Sequence, residues 1–232
     1  MTRPLRHGEP WGHAPSGPPD VEITGDDADL AALVARHPGA LVRFYPSPGA
    51  DLARALGLAP EATSSTEVAI DTLAIRIGGT DDGVDGGGSG EESSAVNAVV
   101  LGVPPDRLHW RARAAHATVR LDGRPWFSGR ATTVVVANGQ FLRTADLVPR
   151  GHPGDGWAEV QVYSLARRER REMRRRLPTG SHVPHPRIAA GRARRVDVEV
   201  RARPRVEVDG RQRGRSDRLG VTLVTASIRL LI

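Results

Sequence analysis

The 232-residue sequence contains no cysteine and no lysine. Without cysteine, the chain has no disulfide bond, no thiolate zinc site and no cysteine nucleophile. Without lysine, it has no Walker-type phosphate-binding lysine, no Schiff-base lysine and no lysine general base. These two absences exclude several enzyme classes, P-loop kinases among them. The net charge of +6 therefore comes from arginine alone.

Aromatic residues and long apolar runs are also scarce. Phenylalanine, tryptophan and tyrosine together make up 4% of the chain. No apolar run reaches membrane-spanning length, and the N-terminal segment lacks the apolar core of a signal peptide. The sequence therefore predicts a cytoplasmic protein. Its 39% of hydrophobic and 26% of charged residues are typical of a globular chain with one or two domains.

The first quarter of the chain predicts a small α/β region behind an irregular lead-in. Residues 1–19 are rich in proline and glycine and show no periodicity, so we expect them to be disordered. Residues 20–62 alternate strand and helix patterns, with strands at 21–24 and 40–45 and helices at 28–37 and 51–58. So few residues hold only two βα units, which is a small, remnant-sized piece of α/β organisation.

Residues 63–232 have a different character. Short runs rich in β-branched residues alternate with turn signals, and Asp122-Gly123 and Asp209-Gly210 are typical hairpin turns. This pattern predicts a larger antiparallel β-sandwich, so the predicted fold class is α+β. Within it, the acidic low-complexity stretch 78–94 is predicted to be a disordered loop, and 165–177 to be a helix.

A series of motifs in the second half resembles the bacterial diacylglycerol kinase and sphingosine kinase family of soluble lipid kinases. In order, these are 134-VVVANG-139, Pro149, 155-DG-156, the arginine-rich helix, 180-GSH-182 and 206-VEVDG-210. The resemblance implies a nucleotide-binding domain followed by a β-sandwich, with ATP and a lipid meeting between them. It further implies Mg²⁺-dependent transfer of the γ-phosphoryl group to a lipid hydroxyl.

The two phosphate loops of that family are degenerate in this sequence. A Gly-Gly-Asp-Gly-Thr loop corresponds to 24-TGDDA-28 and keeps Gly25 and Asp26, while a Gly-Thr-Gly-Asn-Asp loop corresponds to 47-SPGAD-51 and keeps Gly49 and Asp51. Asp27 adds a negative charge beside the expected phosphates, and Pro48 removes a backbone N–H donor. These changes predict weak or lost ATP binding. The family's opening strand has no counterpart here, so we expect a divergent, N-terminally truncated member.

The residues that the resemblance assigns to chemistry are changed in part. Arg211 occupies the position of the family's general base, and arginine cannot accept a proton at any working pH. Asp209 remains as a catalytic candidate and Asp155 as a magnesium-linked candidate. Alternatively, each Asp-Gly pair is an ordinary turn in which the aspartate caps its own hairpin.

The predicted helix 165–177 places seven arginines within ten residues. The candidates for binding an anionic membrane surface are Arg167, Arg168, Arg171, Arg174 and Arg175. Nucleic acid would be another partner for such a charge, but the few aromatic residues are not interleaved with the arginines as a stacking surface requires. The third interpretation is a solvated helix held to the sheet by Leu165, Met173 and Leu177.

Two other groups of residues carry less signal. His182 and His185 have no cysteine or carboxylate close by in the sequence, which is unfavourable for a metal site. Trp110, Trp126 and Trp157 are interpreted as core or rim residues of the sandwich.

Three functional hypotheses follow. The first is a lipid kinase-like protein, using Mg²⁺ and ATP on a lipid substrate, with weak or lost activity. The second is a non-catalytic protein without cofactors that binds a lipid or the membrane surface, to which a cytoplasmic protein would attach peripherally. The third is an arginine-driven nucleic-acid binder.

Overall fold

A computed structural model of the protein describes residues 11–58, 66–78 and 90–232. The described helices are short: α1 spans Asp27–Arg36, α2 spans Asp51–Ala55 and α3 spans Arg170–Arg176. Single 3₁₀ turns lie at Pro105–Arg107 and Leu177–Thr179. No helix in these described segments is long and apolar enough to cross a membrane.

Most of the described chain is β-strand. In chain order the strands are β1 (Val21–Gly25), β2 (Leu41–Pro46), β3 (Glu67–Gly78), β4 (Glu91–Ala95), β5 (Ala98–Gly102), β6 (Ala115–Leu121), β7 (Arg124–Ala131), β8 (Thr133–Ala137), β9 (Phe141–Leu142), β10 (Ala145–Asp146), β11 (Ala158–Tyr163), β12 (Ile188–Ala193), β13 (Arg195–Val200), β14 (Arg205–Val208), β15 (Arg211–Arg215) and β16 (Arg218–Leu231).

The strands form two large sheets and one small hairpin. The first sheet has eight strands in the order β1-β2-β16-β13-β6-β7, with β3 paired to β16 and β4 paired to β3. The second has six strands in the order β12-β11-β8-β5-β14-β15, and β9 and β10 form the hairpin. All pairings are antiparallel except β1 with β2 and β2 with β16. The predicted α+β class, with a β-sandwich as the larger part, is confirmed.

Three hydrophobic clusters hold these layers together. The largest lies between the two sheets and includes Leu73, Val136 and Val196. A second covers the outer face of the six-stranded sheet, where Met173 of α3 and Leu177 contribute. The third packs α1 and α2 against β1, β2 and β16, with Leu30 and other apolar side chains fully buried. Each buried leucine contributes roughly 1.5–3 kcal/mol to the free energy of folding.

Helix α1 illustrates how local sequence places the candidate site. Asp26 caps its N-terminus: the carboxylate accepts a hydrogen bond from the Asp29 amide, and the Asp29 carboxylate accepts one from the Asp26 amide. Such a reciprocal capping box fixes the first turn by satisfying N–H groups that have no partner in the helix. The helix ends at Arg36, just before Pro38-Gly39, as the sequence predicts.

The structure differs from the sequence-based expectations in three segments. Helix α3 begins at Arg170 rather than at residue 165, because the Glu169 carboxylate accepts the Ala166 amide in a turn before it. Residues 91–94, expected within the disordered loop, pair with β3 as part of β4. Residues 11–19 are tied to the fold, since Trp11 packs on the third cluster and His13 pairs with Glu67. The rest of the expected lead-in (1–10) and loop (79–89), and the domain boundary near residue 62, lie outside the described residues.

Candidate functional site

The parallel pairing of β1 and β2 brings the two degenerate phosphate loops together. Gly25 at the end of β1 lies beside Pro46 at the end of β2. The Ser47 amide donates to the Gly25 carbonyl at 2.8 Å, which joins the loops directly. Loops at the carboxyl ends of adjacent parallel strands are the usual ligand-binding position in α/β sheets. The two loops singled out from the sequence therefore lie at the edge of the sheet where such sites usually occur.

In the first loop, the space left by glycine is occupied by the protein itself. A Cβ atom on Gly25 would lie 2.6 Å from the Asp29 carboxylate, so residue 25 has room for no side chain. The group that approaches this glycine is the capping carboxylate of Asp29 rather than a ligand. The notch that would admit a phosphate in a glycine-rich loop is already filled here.

The carboxyl group of Asp27 lies where an anion would bind at the N-terminus of α2. Both of its carboxyl oxygens lie 3.2 Å from the Leu52 amide, which donates to them. This amide is one of the free N–H groups at the N-terminus of a helix that otherwise bind an anion. Burial of Asp27, with a further contribution from nearby Asp209, raises the pKa of the Asp27 carboxyl to about 8. The side chain is therefore mostly protonated at neutral pH, as a buried carboxyl requires.

The second loop is joined to the β-sandwich through the carboxylate of its last residue, Asp51. Gly49 has φ +99°, a conformation that glycine adopts without strain. The carboxylate of Asp51 accepts hydrogen bonds from the amides of Arg143 and Thr144, the latter at 2.9 Å. These two residues form the β9–β10 turn with φ of +48° and +65°, so their N–H groups converge on one acceptor. Burial raises the pKa of Asp51.

Arg143 is a cation beside the candidate site that the sequence analysis did not identify. Its guanidinium binds Asp106 through two hydrogen bonds of 2.7 and 2.9 Å, and it also binds the Glu207 carboxylate. Glu207 is buried, with 2% of its surface exposed. A glutamate between Val206 and Val208 in strand 205–208 was the one available signal, because such a charge needs a partner when it is buried. Nothing near Arg143 in the sequence points to it.

Asp209, the catalytic candidate, lies beneath these loops with its carboxylate fully engaged. It accepts hydrogen bonds from the amides of Val96, Asn97 and Ala98 at 2.9, 3.1 and 2.8 Å. Burial raises its pKa to about 6, although the three amides act in the opposite direction. With φ of +44° at Asp209 and +78° at Gly210, the pair forms the hairpin turn between β14 and β15. The pair therefore forms a turn, as in the alternative interpretation, but the Asp209 carboxylate caps the β4–β5 turn at residues 96–98 and not its own hairpin.

Arg211, at the expected general-base position, contacts the first phosphate loop. Its guanidinium lies 2.9 Å from an Asp26 carboxylate oxygen and 2.7 Å from an Asp29 carboxylate oxygen. These are the two acids of the α1 capping box. The hydrogen bond from the Asp26 amide and the contact with Arg211 both lower the pKa of Asp29. The changed general-base position therefore contacts the retained Asp26 of the first loop and Asp29 just beyond that loop.

Asp155, the magnesium candidate, belongs to a different carboxyl group. Its carboxylate accepts the Trp157 amide at 3.0 Å, and burial raises its pKa. Asp71 lies close to Asp155, whose negative charge is one of the causes that raise the pKa of Asp71. The Asp71 carboxylate accepts hydrogen bonds from the amides of Gly156 and Ala226 at 2.9 and 2.7 Å. No group of three or more metal-binding side chains occurs in the described segments. His182, buried and with its pKa lowered to about 4 by burial, is not part of one.

The arginine helix forms one surface with the loop that carries Trp110. Arg170 is buried, and its guanidinium donates to the carbonyls of His109, Trp110 and Ala112 at 3.1, 3.2 and 2.8 Å. Trp110 is 59% exposed, so its expected place in the core or rim is wrong. The guanidinium of Arg111 lies over its ring at 4.7 Å. The five arginines predicted to face an anionic surface, Arg167, Arg168, Arg171, Arg174 and Arg175, are all exposed.

The residues at the two loops do not fit ATP and Mg²⁺. The Asp29 carboxylate fills the space beside Gly25, and the Leu52 amide donates to Asp27. The amides of Arg143 and Thr144 donate to Asp51. We refer to these groups, Asp26, Asp27, Asp29, Asp51 and Asp209, as the carboxyl cluster. A polyphosphate would have to displace these groups and, although Asp27 is mostly protonated, would then lie beside the acids that pair with Arg211, which is unfavourable for like charges.

Comparisons with known proteins agree with this fold. The family model of the YegS C-terminal NAD kinase beta sandwich-like domain matches residues 107–231, more than half of the chain. A search of curated protein sequences found no match.

Several solved structures share the architecture. A putative diacylglycerol kinase from Bacillus anthracis str. Sterne superimposes with a TM-score of 0.70 and 14% identity, over 91% of this chain and 78% of its own. A second from the same organism gives a TM-score of 0.66 and 13% identity, over 91% and 78%. Yeast NADH kinase, complexed with NADH, gives 0.56 and 12%, over 91% and 61%.

These similarities confirm the kinase-like fold and the resemblance inferred from the motifs. The chain belongs to the family defined by the YegS C-terminal, NAD kinase-like β-sandwich domain.

Proposed function

We propose that this protein is a non-catalytic member of its family that binds anionic lipid surfaces. One observation carries the loss of catalysis: the first phosphate loop is filled by the protein's own carboxyl groups, the Asp51 carboxylate of the second is bound to the sandwich, and the general-base position is occupied by Arg211. A nucleotide would have to break the capping box of α1, the Asp27–Leu52 bond and the Arg211 ion pairs. These are several interactions of about 1 kcal/mol each, in addition to the repulsion between carboxylates and phosphates.

The first hypothesis, a lipid kinase with ATP and Mg²⁺, is less well supported by the site. Related structures carry the names diacylglycerol kinase and NADH kinase, and these names describe those proteins. In this chain the residue positioned to remove a proton from a hydroxyl is an arginine, which has no proton-accepting form. Asp209 does not replace it, because both of its oxygens already accept backbone N–H groups.

Lipid-surface binding is supported by the Trp110 loop and α3. A tryptophan that is 59% exposed, beside arginines, is typical of proteins that rest on the membrane interface. Arg170 fixes the loop to the helix, so the exposed Trp110 and the exposed arginines of α3 are carried by elements that are bonded to each other. Each arginine near an anionic bilayer contributes about 1 kcal/mol.

Titration with Mg-ATP tests the catalytic part of the proposal. Isothermal titration calorimetry is expected to give no saturable heat, and saturable micromolar binding would contradict the proposal. The variant carrying Asp27→Gly, Pro48→Gly and Arg211→Glu removes one of these carboxyl groups and the Arg211 ion pairs, returns a backbone N–H at residue 48, and restores the family residues at 27 and 211. This variant is the comparison that reports whether occupancy of the loops is what prevents binding.

Vesicle co-sedimentation tests the lipid surface. Vesicles with 30% phosphatidylserine are expected to bind the protein, and pure phosphatidylcholine vesicles are not. The Trp110→Ala/Arg171→Ala/Arg174→Ala variant should lose at least ten-fold in affinity. Its control, Arg36→Ala/Arg124→Ala/Arg218→Ala, changes exposed arginines on other elements and should bind normally. Equal binding to both kinds of vesicle, or equal loss in the control, would contradict the proposal.

A further inference from the structure

One end of the β-sandwich opens into a cavity of about 890 Å³. It lies where strand ends of both sheets diverge: β6, β7 and β13 from the first sheet, and β5, β8, β14 and β15 from the second. The floor is part of the central core, since Leu101, Ala117, Ala131 and Val134 line it and are buried. A cavity of this size is in the range of small-molecule binding sites.

The cavity is lined by an unusual excess of positive charge. Seven arginines contribute to the lining, from the 103–114 loop, from the strands and from the 201–204 turn: Arg107, Arg113, Arg130, Arg201, Arg203, Arg205 and Arg215. The one carboxylate in the lining, that of Glu207, is already bound to Arg143. We call this feature the arginine cavity.

Most of these arginines have no anionic partner among the described residues. The side chains of Arg113, Arg201, Arg203 and Arg205 form no ion pair or hydrogen bond with any described residue, and Arg107 contacts only the neighbouring Asp106, at 3.7 Å.

Two of the others are positioned by neutral groups. Arg130 donates to the Ala114 carbonyl at 3.0 Å, and Arg215 donates to the Arg203 carbonyl at 3.1 Å. These bonds hold the guanidinium groups at the wall without neutralising them. Elsewhere in the fold, by contrast, Arg143, Arg211 and Arg229 each bind a carboxylate.

We propose that the arginine cavity binds a phosphorylated small molecule that carries two or more negative charges. Like charges gathered over an apolar floor repel one another, and a concave wall of low dielectric concentrates their potential on an incoming anion. Planar guanidinium groups bind phosphate oxygens through paired hydrogen bonds, which favours phosphoryl groups over simple carboxylates. The cavity volume is much larger than a single phosphate ion, so the ligand has a further body that rests on the floor.

This site is distinct from the carboxyl cluster, and it shares the 103–114 loop with the surface formed by Trp110 and α3 but uses other side chains of that loop. The cavity is lined by the strand ends and the 201–204 turn, whereas the carboxyl cluster surrounds the N-termini of α1 and α2. The inference therefore does not depend on the proposed function. A phosphate-bearing ligand can be soluble or can be the headgroup of a lipid, and the experiment separates these two sources.

Calorimetry with pyrophosphate and with monomeric short-chain phosphatidic acid tests the inference. At least one of these probes is expected to bind saturably with micromolar affinity. Tighter binding of pyrophosphate indicates a soluble phosphorylated ligand, and tighter binding of phosphatidic acid indicates a lipid headgroup. Both outcomes support the site, whereas no saturable binding of either probe overturns it.

Variants locate the binding. Arg201→Ala/Arg205→Ala should weaken binding of the preferred probe at least ten-fold, because both exposed side chains line the cavity and have no described structural partner. Arg36→Ala/Arg124→Ala removes the same charge away from the cavity and should leave binding unchanged. Equal losses in the two variants would show a general charge effect and overturn the inference. Circular dichroism confirms that both variants are folded, and loss of vesicle binding without loss of pyrophosphate binding affects only the proposed function.

Discussion

The carboxyl cluster and the arginine cavity are two concentrations of like charge with opposite relations to the rest of the chain. Every acid of the carboxyl cluster accepts a hydrogen bond from a backbone amide or binds an arginine within the fold. In the arginine cavity, four guanidinium groups bind no described residue. Like charges gathered in a concave wall without partners favour an anionic ligand. We therefore expect the degenerate phosphate loops to have a structural role here, and we expect ligand binding in the arginine cavity.

The largest expected effect tests whether the ion pairs beside the carboxyl cluster are structural. Arg143→Ala leaves the buried Glu207 without its cation and frees Asp106. Breaking a buried pair from one side costs about 3–5 kcal/mol. Urea denaturation followed by circular dichroism measures this change in the free energy of unfolding. The double variant Arg143→Ala/Glu207→Leu removes both charges and should recover most of the loss; a loss under 1 kcal/mol in the single variant would contradict the structural role.

Next in size is the comparison of two Asp-Gly turns. Asp209 is buried and accepts three amides, whereas Asp122, at the matching turn between β6 and β7, is exposed and accepts two. We expect Asp209→Ala to lower the free energy of unfolding by about 3 kcal/mol and Asp122→Ala by about 1 kcal/mol, because unsatisfied amides cost more when buried. Chemical denaturation of both variants measures the difference. Equal losses would mean that the hydrogen bonds of Asp209 are not its main contribution.

The pH dependence of stability sharpens the comparison at Asp27. Its pKa is about 8 in the folded protein and about 3.8 when unfolded, so between these values the unfolded state has lost a proton that the folded state keeps. The stability of the wild type therefore falls as the pH rises from about 4 to about 8. Asp27→Asn keeps an acceptor for Leu52 without the proton, and its advantage over the wild type should grow across this window.

The expected gain of Asp27→Asn at pH 8 relative to pH 4 is on the order of a few kcal/mol. Thermal unfolding at several pH values measures it. Glu67→Gln is a control of opposite sign, because the hydrogen bond from Arg229 lowers the pKa of Glu67 to about 2. Glu67 therefore contributes stability above about pH 4.5 that is lost as the pH falls toward 2. A constant difference between Asp27→Asn and the wild type from pH 4 to 8 would contradict the assignment.

The smallest effect is expected at Arg211. Its ion pairs with Asp26 and Asp29 are partly exposed, with roughly half of each side chain in contact with solvent. Pairs of this kind contribute about 0–1 kcal/mol, so Arg211→Ala should change the free energy of unfolding by less than 1 kcal/mol. The change should shrink further in high salt. A loss above 2 kcal/mol would show that Arg211 is as important to the fold as Arg143.

Local patterns predicted the elements of this fold well, and contacts between distant residues set the site. Helix α1, the Asp-Gly turns and the strands follow from periodicity, capping and turn chemistry within a few residues. By contrast, Asp51 and Arg143, or Asp26 and Arg211, are far apart in the sequence and meet only after the sheets pair.

The exposure of Trp110 and the position of the arginine cavity could not be predicted, because both depend on contacts between residues that are distant in the sequence. The exposure of Trp110 depends on Arg170, whose guanidinium binds the carbonyls of the loop that carries it. The arginine cavity depends on strand ends from two different sheets. The family resemblance singled out two loops that the structure brings side by side, although the acids found there bond to the chain itself.

Strand β16 has a consequence for how the chain acquires its structure. Its first half pairs with β13 inside the sandwich, and its last residues, Arg229–Leu231, pair in parallel with β2. Between them, a bulge at Val224–Ile228 interrupts the register with β3. During synthesis, α1 and α2 can complete the sheet that supports them only after β16 has left the ribosome. We therefore expect α1 and α2 to reach their final packing only after β16 has been synthesised. Pairings between residues so distant in the sequence are typical of slow folding.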